Sequence, residues 1–468
     1  ALAARAVAVA PSMQPHDMST VLFAFARMRY RDRDMMSRLA EVTPPILGAF
    51  QAAEITYFLA AFARLDVQHK LVFNLFAREI ARKLQDFSAA QLGELVYAYA
   101  RLDIQDNLLF EVLRRRIIEV VKALRPWHLA MVVNGFARLD AKDERFFTIL
   151  ASEICRKIPE FPGRPLALVA NAYARLDVRN KFLLEVLGDE VFRKRGELEP
   201  QAVALALNAY ARLGVASPIM FDYFAQDVPR RIKSFNIHSL CLVASAFARQ
   251  GRAEETLFQK IGDFVCERAQ ALYPRALAML LYSFSEVDIR HGTLFFNAPK
   301  LVAKQADAFT TDELAMIARA YGHFQMVHLP LFDTIETALL ERAPSVLAVP
   351  ERRDPDETDE SFVDEPSLPS EAALTPPRAH SLVWLLESHA RLTIFKADVL
   401  EQLCDGLCAR GQDLHSEPSL VVQAAKALAA LSFAHPRFIE LASSCLHGRS
   451  GEELSNTDLE SLAQALQS

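Results

Sequence analysis

The sequence predicts an all-α chain, an α-solenoid built of helix-turn-helix repeats about 37 residues long. Three observations predict it. The motif Ala98-Tyr99-Ala100-Arg101-Leu102-Asp103 returns at a fixed interval, its arginine recurring as Arg27, Arg64, Arg101, Arg138, Arg175, Arg212 and Arg249, each 37 residues from the next. Within one period, apolar residues follow two separate helical patterns, first Leu92, Leu95, Val96, Tyr99 and Leu102, then Leu109, Leu113, Ile117, Val120 and Leu124, so each unit is a pair of helices. Half of the residues are hydrophobic and only 15 of 468 are glycine, which suits packed helices better than a disordered chain.

Taken in order, residues 1–13 are Ala-rich, with Arg5 and no acid before Asp17. They read as the stub of a transit peptide or as a capping helix. Residues 14–348 read as nine contiguous repeats, since two further steps of 37 from Arg249 land on Glu286 and His323. The first helix of each unit ends near the arginine. Five residues beyond it, Asp32, Asp106, Asp143, Asn180 and Ser217 suit the N-cap of the second helix, Ser217 being followed by Pro218, the order of cap and first helical residue. Two residues before the arginine stands a ring, from Phe25 and Phe62 through Tyr99, Phe136, Tyr173, Tyr210, Phe247, Phe284 and Tyr321 to His389, with Ala, Gly or Ser on both sides. Such a knob between small neighbours belongs in the core.

Residues 349–377 change character, opening on Glu351-Arg352-Arg353-Asp354-Pro355-Asp356-Glu357 and continuing rich in Pro and Ser. They are expected to form an acidic, disordered insert. Arg391 follows His323 by 68 residues, which is one repeat plus an insertion. Residues 378–468 are expected to form further helical repeats, one hairpin over 380–410, another over 419–446 and a truncated last unit, so that a cap or a further domain would follow.

The formal charge is −6, unevenly spread, with 43 Lys and Arg against 38 Asp and Glu in residues 1–350 and 9 against 20 in 351–468. Coating of nucleic acid by bulk charge is excluded, but local basic rows are not. The six cysteines stand at irregular spacings in apolar helical contexts, as buried free thiols do rather than a disulfide framework. No apolar run approaches the roughly 18 residues of a membrane span. No glycine-rich phosphate loop, Gly-x-Ser-x-Gly, His-Glu-x-x-His or Cys-x-x-Cys is present, so the expectation is a binding protein with no catalytic residue, cofactor, metal or small-molecule substrate.

The repeat itself generates the candidate binding rows. Eighteen and nineteen residues after the arginine come Arg82-Lys83, Arg156-Lys157, Arg193-Lys194 and Arg230-Arg231, continued by Arg268, Lys304 and Arg342 and interrupted by Glu119-Val120. Such cations complement a helix dipole. Their pairing, beside the amide-rich starts of the next helices where Arg164 and Arg275 stand, fits RNA phosphates equally. One turn before the arginine, Tyr97, Asn134, Asn171, Asn208, Ser245 and Tyr282 vary while their neighbours do not. Either they read bases, one per repeat, or the three Asn form a polar ladder between helices. The repeat arginine would pair with the Asp two residues on, but it persists where Gly214 and Gly251 replace that Asp. Bonding between repeats and ligand contact both remain open for it.

Units such as Val96-Tyr97-Ala98-Tyr99-Ala100-Arg101-Leu102-Asp103-Ile104 followed by Leu108-Leu109-Phe110-Glu111-Val112-Leu113 resemble the heptatricopeptide repeats of organellar proteins in apicomplexan parasites. They are similar also to the octotricopeptide repeats of algal chloroplast proteins. The resemblance covers residues 14–345, and 378–446 more weakly. It implies an organellar RNA-binding solenoid, in a mitochondrion or alternatively a plastid. The RAP module that often ends such proteins has no counterpart in this sequence. Together these readings lead to a non-enzymatic RNA-binding protein, foremost a structural component of a mitochondrial ribosome contacting rRNA and neighbouring ribonucleoprotein subunits. The alternatives are a transcript-processing or stability factor, and a protein-protein scaffold.

Overall fold

The computed structural model describes residues 2–215, 217–348 and 376–446. Among these every regular element is a helix, so the fold is the all-α repeat array that the period predicts. The chain forms two compact units, Ala1–Met220 and Phe221–Ser468. The segment 349–375, which holds nearly all of the expected acidic insert, and the expected truncated last unit lie outside the described residues.

In the first unit the first helices are Pro15–Arg27, Ala52–Arg64, Ala89–Arg101, Pro126–Arg138, Gly163–Arg175 and Pro200–Arg212, every one closing on its repeat arginine. They lie side by side in one layer, and the second helices, among them Lys70–Arg82, Asn107–Val120, Glu144–Lys157 and Lys181–Arg193, form the other. The small residues of the motif set how closely the first layer packs. A Cβ on Gly135 would stand 2.4 Å from Val96 Cγ1 and 3.2 Å from the Val96 carbonyl oxygen, so only glycine lets these two helices touch there. The second unit repeats the plan with Ile237–Arg249, Pro274–Glu286, Thr311–His323, Ala379–Leu392 and Pro418–Ala430 as first helices. Thr311–His323 packs directly against Ala379–Leu392 although 55 residues separate them.

The ring two before the arginine is buried in every unit from Phe25 to His389. Where it is a tyrosine its hydroxyl finds a fixed partner 26 residues back. Tyr99 donates to the Phe73 carbonyl (2.7 Å), Tyr173 to Phe147 (2.7 Å), Tyr210 to Leu184 (2.6 Å) and Tyr321 to Phe295 (2.5 Å). Each tyrosine therefore pins its first helix to the second helix of the preceding repeat.

The turn after the arginine explains the Asp at +2, and an ion pair with the arginine is not its reason. Asp66, Asp103, Asp140, Asp177 and Asp288 adopt left-handed φ of 54°, 50°, 51°, 46° and 56°, and Gly214 and Gly251 do so at 63° and 64°. The residue after each donates to the carbonyl of the ring residue, as Ile104 N–H does to Tyr99 O at 3.0 Å. This is the six-to-one bond of a Schellman cap. Asp and Gly alternate there because both tolerate that conformation.

The N-cap expectation holds for Asp32, Asp106, Asp143 and Asn180, each accepting on its side-chain oxygen from the amide three residues on. Sequence reasoning overlooked the histidines. His69, His291, His328 and His435 fill the same slot, accepting on Nδ1 at 3.3, 3.1, 3.1 and 3.2 Å.

Candidate nucleic-acid interface

The two members of the basic pair point in different directions. Lys83 Nζ donates to the Gly48 and Phe50 carbonyls at 2.9 and 2.6 Å, and Lys157 Nζ to the Lys122 and Leu124 carbonyls at 2.8 and 2.5 Å. Lys194 Nζ reaches the Pro159 carbonyl at 3.1 Å and the Phe161 carbonyl. Each ammonium also meets a carboxylate one turn back on its own helix, Glu79 at 2.8 Å, Glu153 at 2.9 Å and Glu190 at 3.1 Å. An ammonium has three N–H groups, and all three are engaged. Lys83, Lys157 and Lys194 are therefore corrected from phosphate contacts to clamps on the preceding repeat, with nothing left to donate to a phosphate.

The arginine of the pair faces outward. The side chains of Arg82, Arg156 and Arg193 are 63%, 59% and 61% exposed, while their partners Glu79, Glu153 and Glu190 are 10%, 7% and 8% exposed. Arg156 holds Glu153 through Nε at 2.9 Å and Nη2 at 2.5 Å, and Arg193 holds Glu190 at 2.8 and 2.5 Å. These hydrogen bonds keep both carboxyls below the usual glutamate value. One carboxylate against two cations leaves one positive charge per repeat, presented by an arginine whose orientation is fixed from behind. In the second unit Arg230 is exposed and Arg231 holds Asp227 at 2.6 Å. Where Glu119-Val120 interrupts the row, the pair is reversed, with Arg116 bonding Glu119 at 2.7 Å.

The second-helix ends run through one short helical turn into the starts of the next first helices, where Arg164 is exposed and Arg275 half-buried. Burial, helped by the charge of Arg275, pushes the His238 imidazole down, and the His238 ring contacts the Tyr273 hydroxyl at 3.1 Å.

The variable position splits as well. Tyr97, Asn134, Ser245 and Tyr282 remain half-buried, but Asn171 and Asn208 are 5% and 3% exposed. The close approach of the first helices has sealed both, so a base edge cannot reach them, and these two base-contact assignments are withdrawn. Tyr282 is not a free platform. Its ring stacks on Trp384 (centroids 5.2 Å, planes 26° apart), and the Arg319 guanidinium lies 4.9 Å from the Trp384 centroid while pairing with Glu286 and Glu387 at 3.5 and 3.3 Å. No motif flagged Trp384, which lies a turn before the variable position of its own repeat.

The repeat arginine reaches backward. Arg101 Nε donates to the Ala63 carbonyl at 2.6 Å and Arg138 Nε to the Ala100 carbonyl at 3.2 Å, each 38 residues earlier. Arg101 also donates to the Tyr97 hydroxyl at 3.4 Å. These bonds run to backbone, so at Arg101 and Arg138 the arginine does not depend on the Asp at +2. Arg27, Arg64 and Arg249 are exposed, and Arg101, Arg138, Arg175 and Arg212 are half-buried.

No helix among the described residues is long and apolar enough to cross a membrane. Comparison with curated proteins finds no match. Among solved structures, the crystal structure of the pentatricopeptide repeat protein PPR10 from maize is similar at 14% identity over 93% of this chain and 74% of that one, with a TM-score of 0.29. The family model that matches is described as RNA-editing substrate-binding complex 6 protein, and it matches residues 49–329. This match does not extend to the apicomplexan RAP class that the repeats resemble. With more than half of its length matched, the chain belongs to the RNA-editing substrate-binding complex 6 protein family.

Proposed function

We propose that the chain is a helical-repeat RNA-binding protein that works as a subunit of a complex holding RNA substrates for processing. The single observation that carries this reading is the family match over residues 49–329, whose description names both an RNA substrate and a complex. It favours the transcript-processing reading over the ribosomal one. A mitochondrial site of action is part of the proposal and rests on the resemblance of the repeats alone.

Phosphate contact falls to the outward arginines Arg82, Arg156 and Arg193, with Arg164 beside them, and base contact to Tyr97 and Asn134. One net charge per repeat suits modest affinity, as in a subunit whose neighbours share the RNA. The test is binding of labelled single-stranded RNA across a salt series. Replacing Arg82, Arg156 and Arg193 together by Ala lowers the magnitude of the slope of log K against log salt by about 2, at about 0.7 per lost contact. An unchanged slope removes the arginine row from the interface, and absence of any RNA binding removes the reading itself.

A further inference from the structure

One surface of the first unit has no use in packing or in the proposed RNA interface. It lies where the second helices begin. Seven residues after the repeat arginine, Leu71, Leu108, Phe182 and Ile219 are 65%, 81%, 67% and 66% exposed. One turn further on stand Leu75, Val112, Val186 and Tyr223, all half-buried. Between Leu108 and Phe182 the same frame position holds Arg145, exposed and preceded by the exposed Glu144. Before Leu71 it holds Asp34, and after Ile219 it holds Thr256 and Thr293. The stripe thus begins and ends within five consecutive repeats.

Its order is palindromic. Read from either end it runs apolar, apolar, charged, apolar, apolar, with equal spacing because the repeat sets the spacing. A surface with that symmetry is its own complement under a two-fold axis, the requirement of an isologous interface. We propose that this stripe is a dimerisation surface, and that its occupant is a second copy of the same chain laid antiparallel about the Arg145 repeat. Leu71 then meets the second copy's Ile219, and Leu108 meets its Phe182. On the axis Arg145 of each copy faces Glu144 of the other, so the one charged step becomes two ion pairs.

The charge on the flanking row agrees with this register. Seven residues beyond the stripe the antiparallel arrangement sets Arg115, which also holds Glu111 at 2.9 Å, against Asp189, and Arg78 against Gln226. The size agrees too. Five helices at 8 to 10 Å spacing make a strip about 40 Å long, and at about 15 Å width it covers roughly 600 Å² a side, near 1,200 Å² in total, the lower bound for a stable interface. A weak dimer in exchange with monomer is the expectation.

The experiment is sedimentation velocity on the full chain without RNA, at concentrations up to tens of micromolar. The wild-type chain is expected at twice the monomer mass at the upper end. Leu108→Glu with Phe182→Glu, both at exposed positions, is expected to be monomeric throughout with an unchanged circular dichroism spectrum. Arg145→Glu alone weakens the dimer at least tenfold, and adding Glu144→Arg to it restores the wild-type value. A monomeric wild-type chain overturns the proposal, as does a double glutamate variant that stays dimeric. Failure of the charge exchange to restore association overturns the antiparallel register. RNA binding is not involved in any of these measurements, so their failure leaves the proposed function standing.

Discussion

Replacing Lys157 by Met separates fastening from binding within a single basic pair. Lys157 is 10% exposed and Glu153 7%, so water cannot take over their contacts without a rearrangement. The substitution removes two charge-assisted bonds to the Lys122 and Leu124 carbonyls and one ion pair. Bonds to a charged group contribute about 1.5 to 3 kcal/mol each, and removing one partner of a buried pair costs about 3 to 5 kcal/mol. Two effects moderate the total. Arg156 still holds the Glu153 carboxylate, and the exposed Lys122 backbone rehydrates. Met keeps the length of the apolar stem, so the expected loss is about 3 kcal/mol, by the same estimates. Arg156→Ala, at an exposed pair member, should leave stability nearly unchanged. Urea unfolding followed by circular dichroism, with hydrogen exchange over residues 120–126, measures the first quantity, and the salt slope of RNA binding measures the second. Lys157→Met should lose stability and keep its salt slope, while Arg156→Ala should do the reverse. A Lys157→Met chain that is stable to within about 1 kcal/mol yet binds RNA with a flattened slope would refute the division of labour.

Three further outcomes follow from the same geometry. Gly135→Ala places a methyl against Val96 and its carbonyl and should lower the melting temperature by an amount equivalent to about 1 to 3 kcal/mol, with Gly135→Ala/Val96→Ala recovering part of the loss. Asp103→Gly should be nearly neutral, whereas Asp103→Val, forced into the left-handed region, should cost about 1 to 2 kcal/mol; equal effects in thermal melts would contradict the cap. Glu153 and Glu190 have folded-state values below the usual carboxylate one, so their contribution is complete above the unfolded value of about 4.3. It is lost as pH falls through the folded values. Glu153→Gln/Glu190→Gln should flatten the acid limb of stability against pH, and an unaltered limb would show that the pair does not hold the clamp.

What recurs at a fixed frame position with a single chemical answer was legible in the sequence. The ring between small residues and the N-cap at +5 are of that kind, because sterics and one hydrogen bond decide each. The fate of the basic pair was not legible from cations alone. Adjacent helical residues differ by about 100° in direction, and nothing in Arg156-Lys157 says which one turns toward the preceding loop. The signal was a third residue, Glu79, Glu153 or Glu190, one turn earlier on the same helix, where a buried acid requires a buried cation. The Asp at +2 suggested an ion pair, yet its replacement by Gly214 and Gly251 pointed to backbone conformation. For Asn171 and Asn208 the sequence left base reading and a ladder between helices both open, because burial depends on how closely two helices approach, and that distance is set by residues on the facing helix.

The clamp also bears on where an insertion can be accommodated. Arg410 occupies the frame position of Lys83 and Lys157, and it is 1% exposed. Its Nε donates to the Pro377 carbonyl at 2.8 Å, Nη1 to Val346 and Gly406 at 2.7 and 2.6 Å, and Nη2 to Ala348 at 2.7 Å. One guanidinium therefore holds both the chain leaving the ninth repeat and the chain resuming the array. Burial pushes this guanidinium down to about 10, still charged at neutral pH. Lysine suffices where one loop is clamped, but four acceptors exceed its three donors. Arg410→Lys should thus leave one carbonyl unsatisfied and cost about 1 to 3 kcal/mol, where Lys157→Arg in the ordinary clamp costs less. Limited proteolysis after residue 348 and thermal melts of both variants compare the two. If Arg410→Lys proves the milder change, the two chain ends are held by something other than this side chain.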